Sequence, residues 1–444
     1  MSHEDHPAPD RPFYFVVVLW GERFRNYFLE YCLPSLLAPG NIPALGPGAH
    51  KFLIATRPDD WAAMAETPIF KRLGHYVLPA FCEIPPCPPD KSGAEHMGQG
   101  HKLCCDLAFH DRAYGMVLTP DSMLSDGTIA RLQELARSGT KLVLAAALRF
   151  GEEPFLAKLS EIGAVPAASR RDNGAPLSIS GRQMVRAAVN GFHSETQRYE
   201  WDAPSFPPFF PGVPAAAWWR VPGEDGIVLH SLSWAPLLID YAAVGKHDSS
   251  DLDNWTLDGD YIFANLGQTD ASHVVTDSDE MFIASWGPLA ERPLSLDERA
   301  FFGRVGRGAM FRFAFYGPVF NPLKRRIFLN TVRWHANVLN DRWTGVEARS
   351  MRAVDAYADP PSTIGHAPMR TLWHGVLYIV ALMEWMRRLP RAIALWHSLH
   401  RERIALALRG DVAALRWVWW TARRLLASLR GRRFEERRPD APAI

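Results

Sequence analysis

The acidic turn at Asp121 is the part of this sequence whose residue types and spacing are best suited to chemistry. Residues 116–118 are apolar and, with Thr119, predict a short buried strand. Pro120 ends this strand, because proline cannot donate to a β-ladder and fixes its own φ. The residues that follow predict a helix, with Ser125 or Asp126 as its N-cap. Asp121 is therefore expected just past the carboxyl end of a strand, where open α/β sheets form their ligand crevices.

A carboxylate fixed in such a crevice can hold a hard divalent cation, and the cation can neutralise phosphate groups. Ser122 follows Asp121 directly and is expected to line the same crevice. The alternative interpretation is an ordinary strand–turn–helix unit in which Asp121 only caps a loop. The order of the surrounding elements favours the first interpretation.

Apolar runs and helical segments alternate on both sides of the turn. Strands are predicted at 13–20, 50–56, 76–82, 116–119 and 141–148, and helices at 22–37, 59–73, 96–114 and 127–138. Strands that alternate with helices of ten or more residues are typical of a mainly parallel sheet. We therefore expect an α/β fold with a doubly wound, mainly parallel sheet flanked by helices.

The pattern is looser after Arg149. Helices are predicted at 178–189, 296–308 and 322–339, and short strand-like runs at 226–231, 254–263, 274–276 and 281–285. The run 234–241 predicts either a continuing strand or a short helix. Residues 355–368 have the composition of a linker, and Arg/Trp/Leu-rich helices are predicted after them.

Composition and cysteine usage limit the class of protein. The chain has 444 residues, of which 48% are hydrophobic and 22% charged, as in a globular protein with a large core. Its five cysteines all lie in the first quarter, and the odd count argues against a disulfide framework and for a reducing compartment. The first eleven residues are polar and lack the apolar core of a signal peptide. A cytoplasmic location is predicted.

Charge is distributed unevenly along the chain. The segment from Arg370 onward holds fifteen arginines, no lysine and six carboxylates, an excess of nine positive charges, whereas the whole chain carries +1. An anionic membrane surface is therefore a candidate partner of this tail, peripheral to the inner membrane, with its tryptophans at headgroup level. A helical cap with an arginine-rich outer face is the alternative. No nucleic-acid partner is predicted.

Two common nucleotide-binding motifs are absent from the sequence. The residues after the first strand, 19–24, lack G-x-G-x-x-G, which disfavours a Rossmann dinucleotide site, and no G-x-x-x-x-G-K-[ST] occurs anywhere. The Gly-rich, Arg- and Lys-bearing loop expected of a sugar-phosphate nucleotidylyltransferase is missing too.

What remains, an acidic turn after the fourth strand of an α/β domain, resembles the GT-A class of nucleotide-sugar glycosyltransferases over 13–285. The resemblance implies a GT-A-like fold, a nucleotide-sugar donor and a divalent cation, Mn²⁺ or Mg²⁺, that bridges the donor diphosphate. The class often carries D-x-D in this turn, whereas this chain reads Pro120-Asp121-Ser122-Met123, with one carboxylate.

The resemblance also implies further site residues. Enzymes of the class often bring a late histidine to the cation, and His230, at the end of the run 226–229, is the best match. His101 and Lys102 lie on the helix that would border the donor, and Trp20 follows the first strand. A structural role is the alternative for each of these side chains.

A carboxylate near the acceptor would remove the proton of its hydroxyl group. The candidate bases are Asp240, Asp258, Asp260 and Glu280. Two literal D-x-D sequences, Asp258-Gly259-Asp260 and Asp277-Ser278-Asp279, lie later than the usual donor motif. Asp-Gly-Asp is also a common turn composition.

Six segments follow from this interpretation: a disordered tail 1–12, a nucleotide-binding α/β half 13–150, an acceptor-side half 151–290, a helical segment 291–354, a linker 355–370 and a basic amphipathic helical region 371–444. The predicted function is metal-assisted transfer of a sugar from a nucleotide-sugar donor to a cell-envelope or small-molecule acceptor. The alternative is a catalytically inactive GT-A-like protein that serves binding or assembly at the cytoplasmic membrane face, and the single carboxylate at Asp121 favours it.

Overall fold

The computed structural model describes residues 11–88, 92–165, 174–203, 206, 216–253, 256–257, 259–267, 269–289 and 326–358, with scattered positions between 405 and 419. The chain divides into two compact units, Met1–Pro360 and Pro361–Ile444. Residues 1–10 of the predicted tail 1–12, the predicted helix 296–308 and most of the basic region lie outside the described residues. Among the helices of the described residues, none combines the length and the apolarity needed to cross a bilayer.

The first unit alternates strands and helices along most of its length. The strands are β1 Phe13–Val18, β2 Lys51–Thr56, β3 Leu78–Glu83, β4 Tyr114–Leu118, β5 Ser122–Leu124, β6 Leu142–Ala146, β7 Arg149–Gly151, β8 Ala216–Arg220, β9 Gly226–Ser231, β10 Trp234–Asp240, β11 Ser272–Val275, β12 Ile283–Gly287 and β13 Val332–His335. The α-helices are α1 Glu22–Tyr27, α2 Leu33–Leu36, α3 Pro58–Ala65, α4 Pro68–Leu73, α5 Gly93–His110, α6 Thr128–Arg137, α7 Glu152–Glu161, α8 Gly181–Ala188, α9 Ser194–Gln197, α10 Gly259–Leu266 and α11 Asp341–Ala358. A π-helical turn, Phe28–Cys32, joins α1 to α2, and short 3₁₀ turns lie at Ile42–Ala44, Tyr241–Ala243 and Ser250–Asp253.

A seven-stranded sheet organises these elements, in the order β11-β6-β10-β4-β1-β2-β3. All of its strands point the same way except β10, which pairs antiparallel with β4 and with β6. Helices pack on both faces of the sheet. This mixed α/β architecture, with a large and mostly parallel central sheet, confirms the predicted fold class and is consistent with a GT-A-like fold.

The core has two layers, one on each face of this sheet. Alternate residues of β1 enter different layers: Val16 and Val18 join the cluster that includes α5 residues, whereas Phe15 and Val17 join the cluster that includes α6 residues. All six residues of β1 are buried. The unbroken apolar run at 13–18 is therefore explained by burial on both faces.

Two smaller three-stranded sheets flank the main one, β5-β12-β7 and β13-β9-β8. They account for two corrections to the predicted elements. The run predicted as a helix at 322–339 contains the strand β13, because Val332 and Trp334 are buried where β13 pairs with β9. The strand-like run 254–263 instead leads into the helix α10. Short apolar runs fit the hydrophobic period of a helix as well as that of a strand, and tertiary contacts decide which of the two forms.

Further boundaries differ locally from those predicted. The helix α6 has Gly127 as its N-cap, in a left-handed conformation with φ of 92°, and not Ser125 or Asp126. Ser125 instead accepts the backbone N–H of Phe282, which ties the turn to the start of β12. The helix α11 continues to Ala358, past the start of the predicted linker.

Two helical glycines predict opposite responses to alanine. A Cβ on Gly100 of α5 would lie 2.6 Å from Val18 Cγ1, whereas a Cβ on Gly345 of α11 would meet nothing within 4 Å. Gly345→Ala should stabilise the chain by up to about 1 kcal/mol through helix propensity. Gly100→Ala should destabilise it by about 1–3 kcal/mol, because the stiff Val18 side chain cannot move aside. Urea unfolding of both variants would measure this, and a stabilised Gly100→Ala would contradict the close packing of α5 on β1.

Candidate functional site

The carboxyl edge of the seven-stranded sheet brings two of the predicted site residues to neighbouring strands. In the parallel pair β1–β4, Val17 lies opposite Leu118. Trp20 and Asp121 follow the carboxyl ends of these adjacent strands, two residues past Val18 and three residues past Leu118. Both residues therefore lie at the carboxyl edge of the sheet, above β1 and β4, which is the position of the predicted crevice.

Asp121 lies in a half-buried position between β4 and β5. Its carbonyl oxygen accepts the backbone N–H of Trp286 at 3.2 Å, which fixes the turn against β12. Burial raises the pKa of the Asp121 carboxyl and outweighs the opposing effects of a hydrogen bond from Thr119 and of the positive charges on Arg149 and Arg23. The turn thus combines a carboxyl group whose pKa is raised with the positive charges of guanidinium groups.

Ser122, the second residue predicted in this turn, is buried, and its side chain is occupied within the protein. Its hydroxyl donates to the Thr119 carbonyl oxygen at 2.7 Å, and Cys32 Sγ lies 3.9 Å from the same hydroxyl. These contacts pin the turn. Contact between the Ser122 side chain and a sugar donor stays a prediction.

The loop after β1 is held in place by Asp60 at the start of α3. The carboxylate of Asp60 accepts the backbone N–H of Gly21 at 3.0 Å and pairs with Arg25 at 2.8 Å and with Arg57 at 2.9 Å. Its side chain is only 2% exposed. Gly21 has φ of 81°, a conformation that L side chains rarely adopt. Asp60 thereby positions Trp20, the residue that precedes this glycine.

Helix α5 borders the crevice through its first turns. His96 meets Trp20 edge-to-face, with ring centroids 4.8 Å apart. His101 is buried, and its Nδ1 accepts the backbone N–H of Leu257 at 3.2 Å. Burial lowers the pKa of His101 to about 4, so the ring is neutral.

Lys102, the neighbour of His101, forms an ion pair with Asp253 at 2.6 Å. Contacts with Leu257 and Asp253 thus fix the side chains of His101 and Lys102, respectively. Contact of either side chain with a sugar donor stays a prediction.

His230 is placed differently from the expectation that it completes a metal site with Asp121. It lies on β9, in the small sheet β13-β9-β8, and is fully buried. Its Nδ1 lies 3.0 Å from the Phe328 carbonyl oxygen and its Nε2 lies 3.1 Å from the Ser350 hydroxyl. Burial lowers its pKa to about 4. The partners of His230 are a backbone carbonyl and a hydroxyl, and the cluster of possible metal ligands found among the described residues includes neither His230 nor Asp121. Metal ligation by His230 therefore has no support in this geometry.

The predicted bases are scattered. Asp240 ends the reversed strand β10, beside Tyr114 at the start of β4, so it lies at the opposite edge of the sheet from Asp121. Its carboxylate pairs with Arg11. This placement corrects the expectation of Asp240 near the reacting sugar. The reason is strand direction, which the apolar run 234–241 does not encode.

The remaining candidate bases are less fully defined. Glu280 pairs with Arg131 at 3.0 Å and with His273 at 2.9 Å. Asp258 lies outside the described residues. Asp260 lies in α10, and its side chain is outside the described part of the chain. A role for any of the three as the base stays a prediction.

A cluster that could bind a metal forms at the end of β11, from Asp277, Asp279 and His335. One ligand atom from each residue lies within 4.8 Å of the other two. His335 Nε2 is 2.8 Å from Asp277 Oδ1 and 3.9 Å from Asp279 Oδ2. Two carboxylates and an imidazole are ligands suited to several divalent ions.

Sequence reasoning found the D-x-D pair of this cluster but gave it no role, and it missed the histidine. His335 falls in a segment predicted to be helical, so its approach to the carboxylates could not be foreseen. Burial alone would lower the pKa of His335. Hydrogen bonds to Asp277 and to the Asn337 carbonyl, together with the charges of both aspartates, raise the pKa above its usual value.

Comparisons with known proteins leave the family open. No protein-family model and no curated protein matches the chain. Among solved structures, a proposed glucose-1-phosphate thymidylyltransferase from Bacillus anthracis in complex with sucrose is 13% identical, with a TM-score of 0.21, over 32% of this chain and 57% of its own. S. aureus TarS is 10% identical, with a TM-score of 0.23, over 40% and 34% respectively. The matches thus span less than two thirds of either protein, and likeness this weak assigns no activity.

The Asp60 network predicts a pH-dependent contribution to stability. Burial opposes ionisation of Asp60, but the Gly21 N–H and the two arginines together lower its pKa below the usual value. A carboxylate with a lowered pKa contributes stability above its ordinary pKa of about 4, and this contribution is lost as the pH falls further. Asp60→Asn should therefore cost about 2 kcal/mol at pH 7, and the gap should narrow below about pH 4.

Urea unfolding at pH 7, 5 and 3 would measure this gap. Asp59→Asn is the matched control, because the Asp59 side chain is exposed and next in sequence. A pH-independent difference between wild type and Asp60→Asn would contradict the ionised network.

Proposed function

We propose that this protein is a glycosyltransferase that uses a nucleotide-sugar donor, bound in the crevice at the carboxyl edge of the main sheet. The observation that carries the proposal is the placement of Trp20 and Asp121 at the ends of the adjacent parallel strands β1 and β4. Ligands of open α/β sheets bind at this position. Because many activities share such folds, the proposal depends on the side chains in the crevice and not on the fold alone.

Each group in the crevice has a proposed task. The indole of Trp20 offers an apolar face to the nucleotide base. Arg149 and Arg23, whose charges reach Asp121, are suited to meet the diphosphate, since guanidinium groups match phosphate geometry. Asp121 orients the donor through its carboxyl group.

The proposed reaction forms a bond between the acceptor hydroxyl oxygen and the anomeric carbon. The bond from that carbon to the diphosphate breaks, and the nucleoside diphosphate leaves with the electron pair. A carboxylate takes the hydroxyl proton, and Glu280, Asp258 and Asp260 remain the proposed candidates. The acceptor belongs to the cell envelope or is a small molecule.

Metal assistance is part of the proposal. A bound divalent cation would supply positive charge for the departing diphosphate. The pair Asp121 and His230 does not fit such an ion, because His230 is fully buried on β9 and bonds to a carbonyl and a hydroxyl, and neither residue belongs to the cluster of possible ligands found among the described residues. No step is therefore assigned to a metal at that pair. Association of the basic tail with an anionic membrane also stays a proposal.

Asp121→Asn tests the crevice. Isothermal calorimetry with a panel of nucleoside diphosphates and Mn²⁺ should show binding of at least one by the wild type. The variant should bind it at least about tenfold more weakly, a loss of about 1.4 kcal/mol. Its melting temperature should change by only a few degrees, because a half-buried turn carboxyl without a buried ion-pair partner contributes little to folding.

Asp270→Asn is the control for this experiment, because the Asp270 side chain is fully exposed. Equal affinity of wild type and Asp121→Asn would place the nucleotide elsewhere. Failure of the wild type to bind any nucleotide in the panel would contradict the proposed activity and favour a binding or assembly protein.

A further inference from the structure

We propose that Asp277, Asp279 and His335 form a binding site for one divalent cation of the Mn²⁺ or Zn²⁺ type. The site stands apart from the Asp121 crevice, because β11 and β4 are separated by two strands, or roughly 14 Å at usual strand spacing. The proposal goes beyond the proposed function, since it rests on the geometry of this cluster and not on nucleotide binding.

Backbone hydrogen bonds preorganise the cluster. The Arg333 N–H donates to the Thr276 carbonyl at 2.8 Å, and the Ser278 N–H donates to the Arg333 carbonyl at 3.0 Å. The buried Ser278 hydroxyl accepts the His335 N–H at 3.0 Å. These bonds join the loop after β11 to β13, so the carboxylates and the imidazole are carried by one rigid unit.

Helix α8 supports the same loop from another side. A Cβ on Gly181, the first residue of α8, would lie 2.1 Å from the Ser278 carbonyl oxygen. Only glycine therefore allows the helix to approach this closely. The loop is thus held between β13 and α8, an arrangement that fixes the ligand positions without a bound ion.

The imidazole of His335 is oriented as a metal ligand usually is. Its side chain is 2% exposed, and Nδ1 lies 2.7 Å from the Asn337 carbonyl oxygen. A carbonyl can only accept, so Nδ1 carries a proton. Nε2 faces the two carboxylates and donates to Asp277 Oδ1 at 2.8 Å, and a bound cation would take the place of this second proton. Metal-binding histidines commonly donate their second N–H to a carbonyl in this way, which fixes the tautomer and the ring orientation.

The ligand atoms need only small movements to surround an ion. Ligand distances of about 2.0–2.2 Å place neighbouring ligand atoms roughly 3.0–3.5 Å apart. The Nε2 atom of His335 lies 2.8 Å from one carboxylate and 3.9 Å from the other. Shifts of less than about 1 Å therefore suffice. The aspartates keep 25% and 38% of their side chains exposed, which gives a cation and its remaining water ligands access.

Two arginines compete with a cation for the same carboxylates. Arg333 lies 3.3 Å from Asp277 Oδ2, which leaves Oδ1 facing the imidazole. Arg182 reaches both oxygens of Asp279, at 2.8 and 2.5 Å, and 41% of its side chain is exposed. Arg182 can therefore swing out when an ion binds. Glu347, 3.9 Å from Arg333, offsets part of the local positive charge.

The nitrogen ligand selects among cations. Imidazole suits Zn²⁺ and other transition metals, whereas Mg²⁺ and Ca²⁺ prefer sets of oxygen ligands. A site with one imidazole and two carboxylates should therefore bind Mn²⁺ and Zn²⁺ more tightly than Mg²⁺ or Ca²⁺.

The test measures Mn²⁺ binding by the full-length, chelator-treated protein in the absence of nucleotide. Electron paramagnetic resonance of free Mn²⁺ should reveal one saturable site per chain, from which Zn²⁺ displaces the ion. Asp279→Asn and His335→Asn should each weaken Mn²⁺ binding at least about tenfold, because even outer-shell partners contribute about 10- to 100-fold. Arg182→Gln should tighten binding several-fold, because it frees both oxygens of Asp279.

His273→Asn is the matched control. This histidine also contacts a carboxylate, that of Glu280, but lies outside the cluster. No saturable Mn²⁺ binding by either the wild type or Arg182→Gln would overturn the proposal. Binding that survives Asp279→Asn unchanged, or that is lost in Asp121→Asn, would also overturn it. The exposed Asp279 and Arg182 variants keep the test decisive if His335→Asn does not fold. Because nucleotide is absent, the result is independent of glycosyl transfer.

Discussion

The parallel pairing of β1 with β4 is the constraint on which the candidate crevice depends. Residues that follow parallel strands lie at the same edge of a sheet, so this pairing places Trp20 and Asp121, about one hundred positions apart in the chain, at one edge above neighbouring strands. Two sets of hydrogen bonds hold the segments that follow these strands. Asp60 fixes the loop after β1, and the Trp286 N–H fixes the turn after β4. The crevice is therefore a consequence of backbone pairing, to which side chains add chemistry.

The reversed strand β10 divides the predicted carboxylates between the two edges. Since β10 is antiparallel to both of its neighbours, β6 and β11 point the same way as β4. Asp277, which follows β11, consequently lies at the same edge as Asp121. Asp240, which ends β10, lies at the other edge and closes on Arg11. One change of strand direction thus decides which carboxylates can meet a ligand at the crevice edge.

This division also explains how far the sequence could predict the structure. Fully apolar runs such as 13–18 and 142–146 predict buried strands, because burial on both faces leaves no polar positions. The acidic turn is predictable as well, because Pro120 cannot donate to a β-ladder and so ends the run that precedes Asp121. The direction of a strand and its neighbours in the sheet are set by contacts between distant parts of the chain, and a local sequence pattern does not predict these contacts.

The position of His335 is an example of what a local pattern cannot predict. Its segment reads Val332-Arg333-Trp334-His335, and only pairing with β9 makes it a strand rather than a helix. The cluster of Asp277, Asp279 and His335 joins two segments that are 56 residues or more apart in the chain. The D-x-D spacing at 277–279 can be seen in the sequence. The histidine that approaches these carboxylates cannot, because its position depends on the pairing of β13 with β9.

The two carboxylate sites differ in their electrostatics, and the difference suits them to different ligands. Burial raises the pKa of Asp121, whereas His335 and Arg333 help lower the pKa of Asp277 against the effect of burial. A metal ligand must be deprotonated, so a carboxyl with a raised pKa binds a cation less readily. Guanidinium groups beside Asp121 add positive charge to the crevice, and positive charge attracts a diphosphate. One carboxyl in this turn is then sufficient if arginines, and not a metal held by Asp121, neutralise the phosphates. The cation proposed beside His335 is a separate matter, because Asp277 and Asp279 follow β11 and not β4.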